Sequence, residues 1–332
     1  MNRNTQLVRP GEGMRSDHHG YAAEPRIAPS TRAALRKAVA ILTLICLVLA
    51  AYLLVARPYQ LRLGASDAEV NRVMPGDELN PAPTFLSTRA ITINGTPEEV
   101  WPWLVQMGYR RAGFYGYDII ENQGSERGIR SADRIEPELQ HFKVGDDVPI
   151  SATTVMSFYA IEPNRYLIWG GDTGGSYGTF NWALYPVDEN HTRLVSRIRW
   201  SHHWTEPGPL ALDLFSEFTD HLAVRKILSG VKDRVEGHLE PMAIQNIESA
   251  IYLGAALVFF AALVLVLIRP LTRRGWLLGL TAGAAWLFTW YAPVPVGIGA
   301  GLEVLVLWGL VTRLVVPAEK PVGVGAQAVI GE

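Results

Sequence analysis

A chain of 332 residues, 48% of them hydrophobic, is long enough for one well-filled core and further elements besides. Its 30 lysines and arginines nearly balance 32 aspartates and glutamates, and the formal charge of -2 argues against a nucleic-acid-binding protein. Cys46 is the single cysteine, which excludes an intrachain disulfide and a cysteine-based zinc site.

Residues 1–37 are polar, with no hydrophobic period, and are expected to form a disordered tail in which His18-His19 is a solvated dipeptide. Residues 38–56 carry no charge and have the length of a bilayer span. A cleaved signal peptide is the competing assignment. Its charged region would be unusually long, and no small-x-small cleavage site precedes Arg57, so the run is expected to be an uncleaved anchor. Residues 57–86 then read as a stalk, punctuated by Pro75-Gly76 and by Pro81 and Pro83.

Ala90, Thr92 and Asn94 alternate with Ile91 and Ile93 as in a half-buried strand that stops at Asn94-Gly95. The next helix carries its own cap: Thr96 at the N-cap, Pro97 at the first turn and Glu99 in capping-box register. Val100, Trp103, Leu104 and Met107 share a face, Pro102 should bend the helix, and Gly108 is suited to end it in the left-handed conformation. A segment dense in rings and charges follows, including Arg110, Arg111, Phe114, Tyr115, Tyr117, Asp118, Glu121 and Asn122.

Residues 129–150 are polar and broken and suit short strands. Hairpins are expected from Thr153–Ile161 with Arg165–Gly170, and from Gly178–Tyr185 with Thr192–Trp200. The glycine-rich run from Gly170 to Gly175 lacks the Gly-Lys-Ser/Thr end of a phosphate loop. Arg193, Arg197 and Arg199 fall on one face of the last strand. Ligand or carboxylate partners are one assignment for them, and a solvated outer face is the one the alternation favours. The long helix from Leu210 to Gly237 has two apolar sectors, Ala211 to Leu222 and Val224 to Val235, so it either breaks near His221 or packs its halves on different surfaces.

Three more apolar runs, 250–268, 276–292 and 297–316, have or approach spanning length, and a tail, 317–332, closes the chain. The basic loop from Arg269 to Arg274 belongs in the cytoplasm by the positive-inside rule, whereas Pro293 to Val296 is uncharged. Four spans place both termini in the cytoplasm and the domain after the first span outside it. Arg57 and Arg62 run against that orientation. Glu303 is expected to sit shallow in the last span, facing a neighbouring helix.

The runs W-x-W-L-x-Q-M-G from Trp101, G-F-Y-G-Y-D-x-x-E-N from Gly113, S-A-D-R-I from Ser131 and V-G-D-D-V-P from Val144 resemble the SRPBCC superfamily of START-like, Bet v 1-like and polyketide-cyclase-like domains. The similarity extends from about Ser87 to about Gly237. It implies an α+β helix-grip domain over 87–240, an antiparallel sheet wrapped on a long final helix that walls a cavity. It implies no single reaction, because the superfamily hosts carriers, receptors and cyclases on one scaffold.

No nucleophile elbow, H-E-x-x-H helix or cysteine nucleophile is present, and no cofactor or metal is expected. His202-His203 on a strand would point to opposite faces and are read as a surface pair beside Trp204. Asp118, Glu121, Asp133, Arg134 and His141 have the chemistry for acid–base work at a cavity. The simpler assignments are a solvated Asp133-Arg134 and a buried pair of Asp118 with Arg110 or Arg111. Tyr115 and Tyr117 offer a ring and a hydroxyl to an amphipathic ligand, and Trp103, Trp169 and Trp182 either line the cavity or fill the core. The ligand-binding set expected from these arguments is Trp103, Tyr115, Tyr117, Asp118, Asn122, Arg134, His141, Trp169 and Trp182.

The expected activity is membrane-anchored binding of a hydrophobic small molecule or lipid. The alternatives are a cyclase- or dehydratase-like enzyme, marked by a perturbed carboxyl or histidine beside an enclosed cavity, and a non-catalytic sensor or assembly module, marked by a collapsed cavity. The sequence names no protein partner.

Overall fold

A computed structural model describes residues 29–172, 177–202 and 205–268, together with Gly301, Leu305 and Trp308. The expected spans at 276–292 and 297–316, with the intramembrane Glu303, fall outside the described residues apart from those last three positions. The chain divides into two compact units, Met1–Ile45 and Cys46–Glu332.

The described part of the first unit is helical. Helix α1, Pro29–Ala51, starts within the stretch expected to be a disordered tail. The chain continues helically through a π-turn, Tyr52–Ala56, into α2, Arg57–Leu61. Thr31–Leu61 is thus one apolar helix of 31 residues, long enough to cross a membrane.

The second unit is α+β. Its sheet has six antiparallel strands in the order β1-β6-β5-β4-β3-β2: β1 Phe85–Asn94, β2 Asp147–Pro149, β3 Val155–Glu162, β4 Tyr166–Asp172, β5 Tyr177–Pro186 and β6 His191–Trp200. The two hairpins expected from alternation are both present, and Asn164 takes a positive φ of 61° in the turn between β3 and β4. Between β1 and the sheet's far edge lie α4, Pro97–Val105, and α5, Asp118–Glu121. The Thr96 capping box forms, with the Thr96 amide 2.8 Å from Glu99 Oε2. Pro102 is accommodated inside α4, whose last helical residue is Val105, so Met107 and Gly108 lie past its end.

Strand alternation assigns the two faces. On one, Phe180 and Trp182 of β5 and Ile198 and Trp200 of β6 join the main core that the long helix α6, Pro207–Val235, also enters. α6 is unbroken, and its halves do different things. Val224, Ile227, Leu228 and Val231 are buried in the main core, whereas Leu212 and Phe215 are exposed. A helix with two apolar sectors therefore resolves by facing two environments, with no break needed at His221.

The other sheet face carries the arginines, and it is not solvated. The segment expected to be a stalk lies across it, including α3, Asp67–Asn71. Met74 packs with Ala90, Ala183 and Val195, and Arg197 is only 2% exposed. The Arg197 guanidinium donates to Asp77 Oδ2 at 2.8 Å, to the carbonyls of Glu69, Val70 and Arg72 at 2.7, 2.9 and 2.6 Å, and to Thr88 Oγ1 at 3.0 Å. Arg193 reaches Glu69 at 2.7 Å, and Arg199 reaches Asp77 at 3.0 Å. The arginine stripe is the seam that holds residues 62–82 on the sheet, because a buried guanidinium persists only where all its donors find acceptors. A further helix, α7, Met242–Ile268, contains the first of the three C-terminal apolar runs.

Candidate functional site

A cavity of about 630 Å³ opens between the apolar sheet face and the first half of α6. Six aromatic rings line it: Phe85, Phe114, Trp169, Phe180, Trp182 and Trp200. They arrive there by strand period, since Phe180/Trp182 and Ile198/Trp200 are i, i+2 pairs on adjacent strands, with Trp169 directly opposite Phe180. The rings of Trp169 and Trp182 lie 5.6 Å apart, and those of Phe180 and Trp200 meet edge-on at 6.2 Å. Both indole Nε1 atoms, of Trp169 and of Trp182, are buried without a hydrogen-bond partner. Ile120 and Leu212, both lining residues, are 64% and 68% exposed and mark the mouth.

The wall toward α6 is acidic. Glu217 faces His202 at 3.6 Å and is held from behind by Arg57 at 2.7 Å and by the Gln60 amide at 3.1 Å. Burial pushes the Glu217 carboxyl up, and the His202 ring, Arg57 and Gln60 together outweigh it, leaving it below the usual range. One turn on, Asp220 pairs with Arg89 at 2.8 Å. Burial still prevails over that partner and raises its pKa. His202 also lies 3.6 Å from Asp213, and its ring is 5.2 Å from that of Phe85. His202 is thus 8% exposed and part of the cavity wall, not a surface residue. His203 and Trp204 lie outside the described residues.

Glu121 enters the cavity from α5. Both its carboxylate oxygens are buried and lack a hydrogen bond of full geometry. Burial drives its pKa up to about 7, with Asp118 adding to the rise and the amides of Tyr117 and Gly116 and the Lys226 charge opposing it. Gly116 makes this position possible, because a Cβ there would sit 2.2 Å from Glu121 Oε1.

Of the nine expected ligand-binding residues, Trp169 and Trp182 reach the cavity. Asp118 and Asn122 form a buried cluster with Ser131, whose hydroxyl is 2.5 Å from Asp118 Oδ1 and 3.2 Å from Asn122 Nδ2. That cluster replaces the expected pair of Asp118 with an arginine. Arg111 instead donates to the carbonyls of Val105 and Met107 at 2.8 and 3.2 Å. Tyr115 donates to the Trp103 carbonyl at 3.0 Å, meets its ring edge-on at 5.9 Å and lies under Arg234. Tyr115 and Asp118 border a separate pocket of only about 20 Å³, room for roughly one water. Tyr117 is buried with Lys226 5.5 Å from its ring, and Arg134 and His141 are on the surface. Among the described residues, no group of three or more His, Cys, Asp or Glu is arranged to hold a metal ion.

No protein-family model matches the chain, and no curated protein does. Solved structures similar to it include a conserved protein of unknown function from Enterococcus faecalis, at 14% identity over 45% of this chain and 70% of that one, with a TM-score of 0.28. A protein from Mesorhizobium loti matches at 16% identity over 45% of this chain and 96% of its own, also with a TM-score of 0.28. A third, from Deinococcus radiodurans, matches at 15% over 43% and 98%, with a TM-score of 0.21. Likeness at that level carries no argument about what the cavity does.

Proposed function

We propose that this chain is a membrane-anchored helix-grip protein of the SRPBCC type that reversibly binds a hydrophobic small molecule or lipid. The observation that carries the proposal is the open cavity of about 630 Å³, lined by six rings and carrying two unpartnered indole donors, a volume in the range of small-molecule sites. The apolar helix Thr31–Leu61 supports the location, since Arg57 and Gln60 at its end hold Glu217 in the cavity wall. A cavity kept beside a bilayer meets apolar ligands at high local concentration. In this reading the C-terminal runs complete a multi-pass membrane protein with the domain outside the cytoplasm, an orientation that reporter fusions after residue 60 and after residue 274 would check.

The test is organic extraction and mass spectrometry of the full-length protein purified in its native membrane. A stoichiometric apolar ligand, lost when Ala223→Phe fills the cavity, is the expected result. Extracts that hold the same molecules with and without Ala223→Phe would overturn it.

A second reading, an enzyme resembling polyketide cyclases or dehydratases, is favoured by one observation. Glu121, poised near neutrality at the cavity, has the pKa of a general acid or base. Glu121 is one of the acid–base candidates, with Asp118 and His141, that the sequence offers. Conversion of the extracted ligand by fresh protein, abolished in Glu121→Gln, would establish it.

A further inference from the structure

We infer that the cavity selects an apolar molecule bearing an organic cation, such as a protonated amine, and rejects fatty acids and phosphate-headed lipids. The inference rests on the reading that the cavity takes an apolar ligand, and it names the chemistry of that ligand.

The first ground is the sign of the wall. Its described lining contains four carboxylic side chains, Glu121, Asp213, Glu217 and Asp220, one imidazole, and neither lysine nor arginine. A carboxylate or phosphate group entering this space would be stripped of water with no lysine or arginine in the described lining to receive it, which is strongly unfavourable. Sites built for such groups place arginine or lysine at the ligand.

The second ground is that the acids are unequal. Asp213 has His202, Glu217 has Arg57 and Asp220 has Arg89, all within 3.6 Å. Glu121 has no such partner. The nearest cation acting on it, Lys226, is engaged by Glu240 and Glu248, each at 2.6 Å. Asp118, also close, only adds negative charge. A cavity-lining carboxyl opposed by two backbone amides and by no ion-pair partner of its own matches an ammonium donor.

The third ground is aromatic. Six aromatic rings line the same volume, and an aromatic lining attracts a cation electrostatically where a ring face meets it while burying its apolar body. Each feature alone has an ordinary explanation. Their convergence on one space favours a cationic occupant.

The experiment uses the full-length protein in nanodiscs and three probes of one size: naphthylmethylamine, naphthalenemethanol and naphthoate. Binding is measured calorimetrically at neutral pH against empty nanodiscs. The amine is expected to bind about tenfold tighter than the alcohol, and the carboxylate weakest. Glu121→Gln should bring the amine down to the level of the alcohol. The ranking in the unsubstituted protein is itself a test, independent of how the variant folds. Naphthoate binding as tightly as the amine, or an amine preference that survives Glu121→Gln, would overturn the inference. The alcohol binding best would overturn it while leaving the cavity as a binding site. Failure of all three would remove the binding reading as well.

Discussion

Glu121 links the site to stability through a single proton. Its folded-state pKa of about 7 lies above the ordinary 4.5, so between those values the folded chain holds more proton than the unfolded one. Stability from this group is therefore lost as pH rises through that window. Glu121→Gln removes the cost of the buried charge. The variant should exceed the parent in stability at about pH 8 by up to about 3 kcal/mol, and the gap should close below about pH 4.5. Melting temperatures across pH would show it, and a pH-independent difference would mean that Glu121 is not buried as an acid. A second residue-scale prediction concerns Gly230, where α6 meets the loop before α5. A Cβ there would lie 2.0 Å from the Tyr115 carbonyl oxygen. Gly230→Ala should destabilise by about 1–3 kcal/mol through overpacking, despite the better helix propensity of alanine. Chemical denaturation would read the difference.

At the scale of elements, the segment from 62 to 82 and the sheet hold each other through side chains that neither could bury alone. Arg197 contributes five donor contacts to one patch of that segment and its strand neighbour. Arg197→Ala would leave Asp77 with Arg199 as its one cationic partner and take a donor from three part-buried carbonyls. We expect a loss of about 3–5 kcal/mol, with new protease cleavage confined to residues 62–82. Arg197→Lys should rescue only part of it, because an ammonium cannot span the same acceptors. α6 shows the same interdependence. Its second half is held by the core, and its first half, with Leu212 and Phe215 exposed, is held by Glu217, Asp220 and their partners from the end of the apolar helix and from β1.

At the scale of the whole molecule, Arg57 and Gln60, in the last turns of an apolar helix long enough to cross a membrane, also hold Glu217 in the cavity wall. Removing residues 250–332, and with them all three C-terminal apolar runs, should leave the protein in the membrane fraction after alkaline extraction, because the helix Thr31–Leu61 has spanning length by itself. Release into the soluble fraction would assign anchoring to the C-terminal runs instead.

Much of the local structure was legible because its causes are local. Alternation marked β3 to β6, the Thr96–Glu99 pair marked the start of α4, and a run without charge marked the first apolar helix. The two apolar sectors of α6 were visible too, though only packing decided that the helix stays whole. The outer face of β6 was misjudged for a physical reason. Alternation tells which residues share a face but not what covers that face, and a proline-punctuated linker gives no periodic sign that it will lie on a sheet. The candidate site was hidden more thoroughly. Trp169 and Trp182 stood out as rings and Glu121 as one of several acid–base candidates, but Asp213, Glu217 and His202 lie some eighty residues or more from Glu121 in the chain and joined it in one lining only when α5 and α6 closed on the sheet. The motif-rich segment drew attention to Asp118 and Asn122, whose partners turned out to be each other and Ser131. Sequence by itself determined which elements form, because caps, turns and periodicity act within a few residues. Tertiary structure alone decided which polar groups are buried, which are paired and which face open space, because burial and pairing belong to contacts made across the chain.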